Sequence, residues 1–199
     1  MKKIVLASRN PHKIEELRVI LEPLDIQLLA APDFPELEEV EEDGDTLEAN
    51  ALKKARYVYN MTGLPSLADD TGLEVDKLDG RPGVYSARFA GENVTYQQNV
   101  DKLLRLLQPW KDINDRTARF RTVIAFIEEG NEHLFEGRCE GNITTEEYGD
   151  GGFGYDPVFL PGGYDQTFAE LSPEVKNEIS HRGMAVQKFL EWIKSHRNG

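Results

Sequence analysis

Two adjacent carboxylates, Asp69 and Asp70, interrupt an apolar run in "PSLADDTGLEVDKL", residues 65–78. Like charges this close repel, and each loses hydration when covered. The pattern reads as a strand ending in the acid pair, a Thr71-Gly72 connection, then a second strand reaching Asp76. Paired acids at a strand end suit a divalent cation, or a carboxylate that holds and deprotonates a water. A second acidic stretch contains Glu38, Glu39, Glu41 and Glu42. Mg²⁺ takes oxygen ligands in octahedral geometry, commonly one or two carboxylates completed by phosphates and waters. One acid from each stretch would make such a half-open site. Glu38, Glu39 and Glu42 themselves read as a solvated edge.

Three other clusters carry chemistry. "SRNPHK", Ser8 to Lys13, joins a short apolar run to a helix start. Such a junction presents free N–H groups and the positive end of a helix dipole to an anion. Ser8 and Asn10 add polar side chains, and Lys13 adds charge. It lacks the glycines of a P-loop. Taken alone it reads as a capped surface helix with a solvated lysine, and His12 as a surface residue. "GGFGYDPVF", residues 151–159, lets backbone approach a ligand at its glycines. Phe153 and Tyr155 can offer an aromatic face to a flat base, and Asp156 can orient a partner. "KNEISHRG", residues 176–183, gathers Lys176, His181 and Arg182 as donors, with Ser180 as a helix cap. Ordinary readings stand beside both: a glycine-rich turn over core aromatics, and a helix start with surface bases.

The chain has 199 residues, with 36 acids against 23 bases and a formal net charge of −13. That length suits a single domain spanning 1–199 with a real core. The charge excludes nucleic-acid binding through a general positive surface. An anion would need a local cluster of bases, N–H groups or a metal. Cys139 is the sole cysteine, so no intrachain disulfide can form, and it reads as an inert strand thiol. "MKKIVLASRN" is too short in its apolar run for a signal peptide, and no stretch approaches membrane-spanning length. The expected location is the cytoplasm, with no membrane partner.

The elements that must position these residues follow from pattern. Lys3–Ser8 reads as a buried first strand and "IQLLAA" as a second. Between them Asn10 caps a helix with Pro11 at its first position, ending near Pro23. Its apolar face is read as Ile14, Leu17, Val19, Ile20 and Leu21. "DTLEANALKKARYVYNM" is a strong helix capped by Asp45 or Thr46. "YQQNVDKLLRLLQPW" is helical up to Pro109. Residues 116–143 read as two long strands turning at Glu129-Gly130-Asn131. The C-terminal region is helical, with Met184, Val186, Phe189, Leu190 and Ile193 near helical spacing. Strands divided between N-terminal βα units and a later hairpin predict an α/β fold: a mixed sheet with helices packed on it.

In this order, the clusters resemble the inosine triphosphate pyrophosphatase family, the dITP/XTP pyrophosphatases. The resemblance runs from Lys3 to the last helix through "SRNPHK", "EEDGDTLEANALKKA", "LADDTGLEVDKLDGRPGVYSARFAG", "GGFGYDPVF" and "ISHRGMA". Each piece is unspecific alone; the set is highly specific. Ser8 stands where Thr is common, Thr71 where Ser is common, and Ala49 where Glu is frequent. The resemblance implies an elongated central sheet flanked by helices, with the active cleft between two lobes. It implies hydrolysis of ITP, dITP and XTP to monophosphate and pyrophosphate, with Mg²⁺ and a homodimer. Ser8, Arg9, Asn10, Pro11, His12 and Lys13 would hold phosphates, and Thr71 would touch substrate. Glu41 and Asp70 would bind Mg²⁺, and Asp70 would match the proton acceptor; the sequence itself leaves open which of Asp69 and Asp70 takes the proton, or whether they act as a coupled catalytic pair. Phe153, Gly154, Tyr155, Asp156, Lys176, His181 and Arg182 would recognise the base.

Two other readings stay open. One is a pyrophosphatase for other altered nucleotides, such as methylated pyrimidines. The other is a regulator that binds nucleotide without turnover; a pure binder has no use for Asp69, Asp70 and Glu41 together.

Overall fold

A computed structural model describes residues 2–21 and 26–196, and leaves the side chains of Lys2 and Ile20 undescribed. The expected helix end near Pro23 and the inward side chain of Ile20 therefore lie outside the described residues. Strand β1 (Lys2–Leu6) is followed by helix α1 (Pro11–Leu21), strand β2 (Ile26–Ala30) and helix α2 (Leu47–Thr62). Strands β3 (Ser66–Val75) and β4 (Pro82–Gly83) precede helix α3 (Tyr96–Leu106). Strands β5 (Thr117–Glu128), β6 (Asn131–Ile143) and β7 (Phe159–Pro161) come next, then helices α4 (Pro173–Ile179) and α5 (His181–His196). The sheet order is β2-β1-β3-β5-β6-β7, with β4 on β3. β1 runs parallel to β2 and β3, while β4 and β7 pair antiparallel with their neighbours. The sheet is mixed, as the strand pattern predicts.

Local chemistry sets the element ends. Asn10 Oδ1 accepts from His12 N at 3.0 Å and Lys13 N at 3.4 Å, which starts α1. Of the two candidate caps for α2, Thr46 is the one used: its hydroxyl accepts from Ala49 N at 3.1 Å. α2 stops at Gly63, whose φ of 66° is the left-handed conformation that glycine adopts cheaply. Glu129 and Gly130, both at positive φ, turn β5 into β6.

β3 departs from expectation. The acids do not end a strand; Ser66 to Val75 is one continuous strand, and the pair lies in its middle. Thr71-Gly72 is not a turn. A Cβ on Gly72 would stand 2.7 Å from the Gly83 carbonyl, so this glycine admits β4 at close range.

The chain forms two compact units. The first comprises residues 1–70, 122–137 and 182–199; the second comprises 71–121 and 138–181. In the first, Ile4, Leu6, Leu17, Leu67, Phe126 and Phe189 belong to the core. Two residues expected on apolar helix faces are exposed instead, Val19 on α1 and Met184 on α5, while Ala185 takes the inward position on α5. In the second, Leu73, Leu103, Phe120, Phe159 and Phe168 pack together. Cys139 is buried in β6, and burial pushes its thiol up to about 11, which leaves it inert as expected.

Candidate active site

Mid-strand, Asp69 and Asp70 are both buried, yet their surroundings differ. Asp69 Oδ2 lies 2.9 Å from Lys13 Nζ and 3.5 Å from Arg182 Nε. Burial alone would raise its pKa, but Lys13, Arg182 and Lys54 together hold the carboxyl well below the ordinary carboxylate range. Asp70 moves the other way. Burial pushes it up to about 6 against the pull of Lys54, and the charge of Glu42 adds to the rise. Lys13 and a hydrogen bond from Asn50 oppose it. The pair thus divides into a locked carboxylate and one poised near neutrality.

α2 delivers two residues of the matching stretch, Asn50 and Lys54, to which the motif reading gave no role in the site. Asn50 Nδ2 donates to Asp70 Oδ2 at 3.0 Å. Lys54 Nζ donates to Glu42 and, at 2.7 Å, to the Asp69 carbonyl; it stands 3.8 Å from Asp70 Oδ1. Burial would lower the Lys54 pKa, but Glu42, Asp70 and Asp69 raise it, so it stays charged. The i, i+4 spacing of Asn50 and Lys54 puts both on one helix face, and that spacing was a visible signal. Glu42, expected on a solvated edge, is instead drawn to this buried lysine. Glu41 is exposed and has no ion pair among the described residues.

The phosphate-loop expectation needs adjusting. Its N–H groups are not free: Asn10 N donates to Ser8 Oγ at 3.2 Å, and His12 N and Lys13 N serve the Asn10 cap. Arg9 points its guanidinium at the Leu37 carbonyl. Pro11 and His12 are exposed at the first turn of α1. Lys13 brings the charge, already positioned by Asp69.

In the second unit, Asp156 Oδ2 accepts from Phe153 N at 2.7 Å and from Lys176 Nζ at 2.8 Å. Lys176 Nζ also sits 5.2 Å from the centre of the Phe153 ring. One acid therefore fixes both an aromatic face and an ammonium beside it. Gly152 and Gly154 adopt positive φ, which shapes the turn. Tyr155 does not offer a face to a base. It is a core residue whose hydroxyl donates to Ser86 O at 2.9 Å, and burial raises its pKa. The backbone at Tyr155 begins a short 3-10 turn that aims the ring inward. His181 is buried against Phe120, ring centres 4.5 Å apart. Arg182, in the first unit, donates through Nη1 to Glu16 Oε2 at 2.5 Å and neighbours Asp69. Both of these contacts are with acids. Thr71 follows Asp70 directly and is half-buried.

Among the described residues no three His, Cys, Asp or Glu side chains gather as a closed metal cage. Mg²⁺ commonly takes only one or two protein carboxylates and completes its shell with phosphates and waters. The buried Asp70 carboxylate and the exposed Glu41 carboxylate are oxygen donors of the kind that such an ion takes.

Residues 4–192 match the model of the Ham1 family. The chain is 53% identical over 190 residues to a dITP/XTP pyrophosphatase of Desulforamulus reducens, covering 95% of this chain and 94% of that one. It is 49% identical over 191 residues to the protein of the same name from Christiangramia forsetii, covering 96% and 98%. A solved HAM1 protein from Coxiella burnetii aligns over 98% of this chain and all of its own, with a TM-score of 0.90 and 40% identity. A nucleoside-triphosphatase / dITP/XTP pyrophosphatase from Mycobacterium abscessus aligns over 96% and 99%, with a TM-score of 0.77 and 44% identity. With near-complete coverage on both sides and a family model spanning almost the whole chain, this protein belongs to the Ham1 family.

Proposed function

We propose that this chain hydrolyses ITP, dITP and XTP to the monophosphate and pyrophosphate, removing deaminated purines before they enter DNA and RNA. The observation that carries the reading is the split acid pair: Asp69 held ionised by Lys13, Asp70 raised to about 6. A regulator that only binds nucleotide gains nothing from a carboxylate tuned near neutrality. Pyrophosphate release from ITP in the presence of Mg²⁺, with a nucleotide panel for comparison, tests it.

Asp70 is the proton acceptor. Its carboxylate, held by Asn50 and facing Lys54, takes a proton from the attacking water. Asp69 does not compete, because its charge is committed to Lys13 and Arg182. Lys13 has three donors, and one serves Asp69, so the others are available to a phosphate oxygen. Ser8 and Asn10 support that end, and Lys54 supplies a buried cation.

Glu41 and Asp70 would hold Mg²⁺, with Glu42 adjoining. When bound, the ion supplies positive charge to phosphate oxygens that a protein of net charge −13 lacks. Phe153 offers a ring to the base, and Asp156 aims Lys176 at the same place. Lys176 donates, so a 6-oxo purine is satisfied there and a 6-amino purine is not. The protein is further proposed to act as a homodimer in the cytoplasm; no described helix is long and apolar enough to cross a membrane.

A further inference from the structure

The segment carrying the acids, residues 37–44, has no helix or strand of its own, yet it is pinned along one face of α2. Gly44 N donates to Asn50 Oδ1 at 2.8 Å. Asp43 pairs with Lys53 at 2.5 Å, and Glu42 pairs with Lys54. Glu38 N donates to Tyr57 Oη at 2.9 Å. The four helix residues, Asn50, Lys53, Lys54 and Tyr57, follow i, i+3, i+4, i+7 spacing, which is one helix face. The strap meets them in reverse order, so it runs antiparallel to the helix in a defined register. Its far end is fixed again by buried Leu37, whose carbonyl takes Arg9.

Two of these contacts touch no acid side chain. The Tyr57 hydroxyl holds a backbone N–H. Gly44 permits contact: a Cβ there would stand 2.7 Å from Asn50 Oδ1 and 3.0 Å from the Ala49 Cβ. Asn50, which receives Gly44, is also the donor to Asp70. One amide therefore locks the strap to the catalytic strand. Glu41 lies between the two pinned ends, three residues from Glu38 and three from Gly44.

We infer that Tyr57 and Gly44 are positioning residues: through backbone register they set where the strap acids stand relative to Asp70, and hence the affinity for Mg²⁺. The inference rests on the metal reading above. Side chains two contacts removed from a ligand act on metal affinity rather than on the chemical step, because excess ion refills a loosened site.

The test uses Tyr57→Phe, which deletes one hydroxyl and keeps the ring, and Gly44→Ala. Tyr59→Phe, on another face of α2, is the control. Mn²⁺ binding to the protein alone, by calorimetry, is measured beside the Mg²⁺ dependence of ITP turnover. Tyr57→Phe is expected to raise both the Mn²⁺ Kd and the half-saturating Mg²⁺ by about tenfold. Its kcat at saturating Mg²⁺ should stay within about twofold of wild type, Gly44→Ala should shift the same way, and Tyr59→Phe should match wild type. An unmoved metal midpoint in Tyr57→Phe, a kcat loss that excess Mg²⁺ does not restore, or an equal shift in Tyr59→Phe overturns the inference. Wild-type turnover in excess chelator would instead remove the metal reading itself, a different failure.

Discussion

The Lys13 ammonium and the Asp69 carboxylate lie 2.9 Å apart, on the first turn of α1 and the middle of β3. Arg182 approaches the same oxygen of Asp69 at 3.5 Å. A carboxylate held by two cations keeps its charge and makes a poor base. Asp70, one residue on, is left with the raised pKa. Neighbours in sequence thus meet different surroundings, as expected where a strand points successive side chains to opposite faces.

Asp70→Asn should reduce turnover by at least about 10²-fold, the lower end for loss of a general base. The metal-free variant should be no less stable than wild type at pH 7–8. A folded-state pKa raised from 3.8 to about 6 means the charged form costs stability as pH rises through that window, by at most about 3 kcal/mol. The amide removes that cost, so the stability difference should fade below pH 4. Urea unfolding at pH 4 and pH 7.5 measures it.

Asp69→Asn should do the reverse in stability. It leaves Lys13 and Arg182 without the buried charge they face, and breaking such a cluster costs about 3–5 kcal/mol. The depressed Asp69 pKa contributes stability that is complete above the ordinary carboxylate range and lost as pH falls below it. Wild type should therefore lose stability in acid faster than Asp69→Asn does. Parallel urea titrations from pH 7 to pH 3 would reveal the difference.

Caps and turns were legible because their causes are local: Asn10 before Pro11, Thr46 before α2, Gly130 in the hairpin. The continuity of β3 through Asp69-Asp70 was not. Local preference argues against buried acids in mid-strand, and Lys13, Asn50, Lys54 and Arg182, distant in sequence, help make them tolerable. Tyr155 misled for a similar reason: its hydroxyl finds Ser86, 69 residues earlier, and takes the ring into the core. The motif set pointed to the right family. It contained Asn50 and Lys54 but gave them no partner, and it read Glu42 as solvated, because their contacts depend on a strap lying against a helix face.

Metal affinity should fall with acidity. Asp70 must shed its proton to serve as a ligand, so Mg²⁺ binding should weaken by up to about tenfold per pH unit below pH 6. Calorimetric titrations at pH 5 and pH 7.5 check this. Ca²⁺, larger and looser in geometry, should inhibit weakly. An affinity indifferent to pH would count against Asp70 as ligand.

Arg182 and Lys176 should separate in their effects on specificity. Arg182 contacts Glu16 and Asp69. Arg182→Ala should therefore lower kcat/KM for ITP and ATP alike, against the expectation that it reads the base. Lys176→Met removes the ammonium beside Phe153 and should fall harder on ITP, by roughly 5- to 150-fold for about 1–3 kcal/mol. A selective loss in Arg182→Ala would return base reading to that residue.

The most direct measurement is the product analysis of wild-type protein with Mg²⁺ and a panel of ITP, dITP, XTP, GTP, ATP and a methylated pyrimidine triphosphate. Pyrophosphate and monophosphate should appear in equal amounts. Turnover of ITP, dITP and XTP should exceed that of ATP by roughly 10²–10⁴ in kcat/KM, within the reach of a site that hydrogen-bonds the base. Binding without pyrophosphate, release of orthophosphate instead, or preference for the methylated pyrimidine would contradict the account.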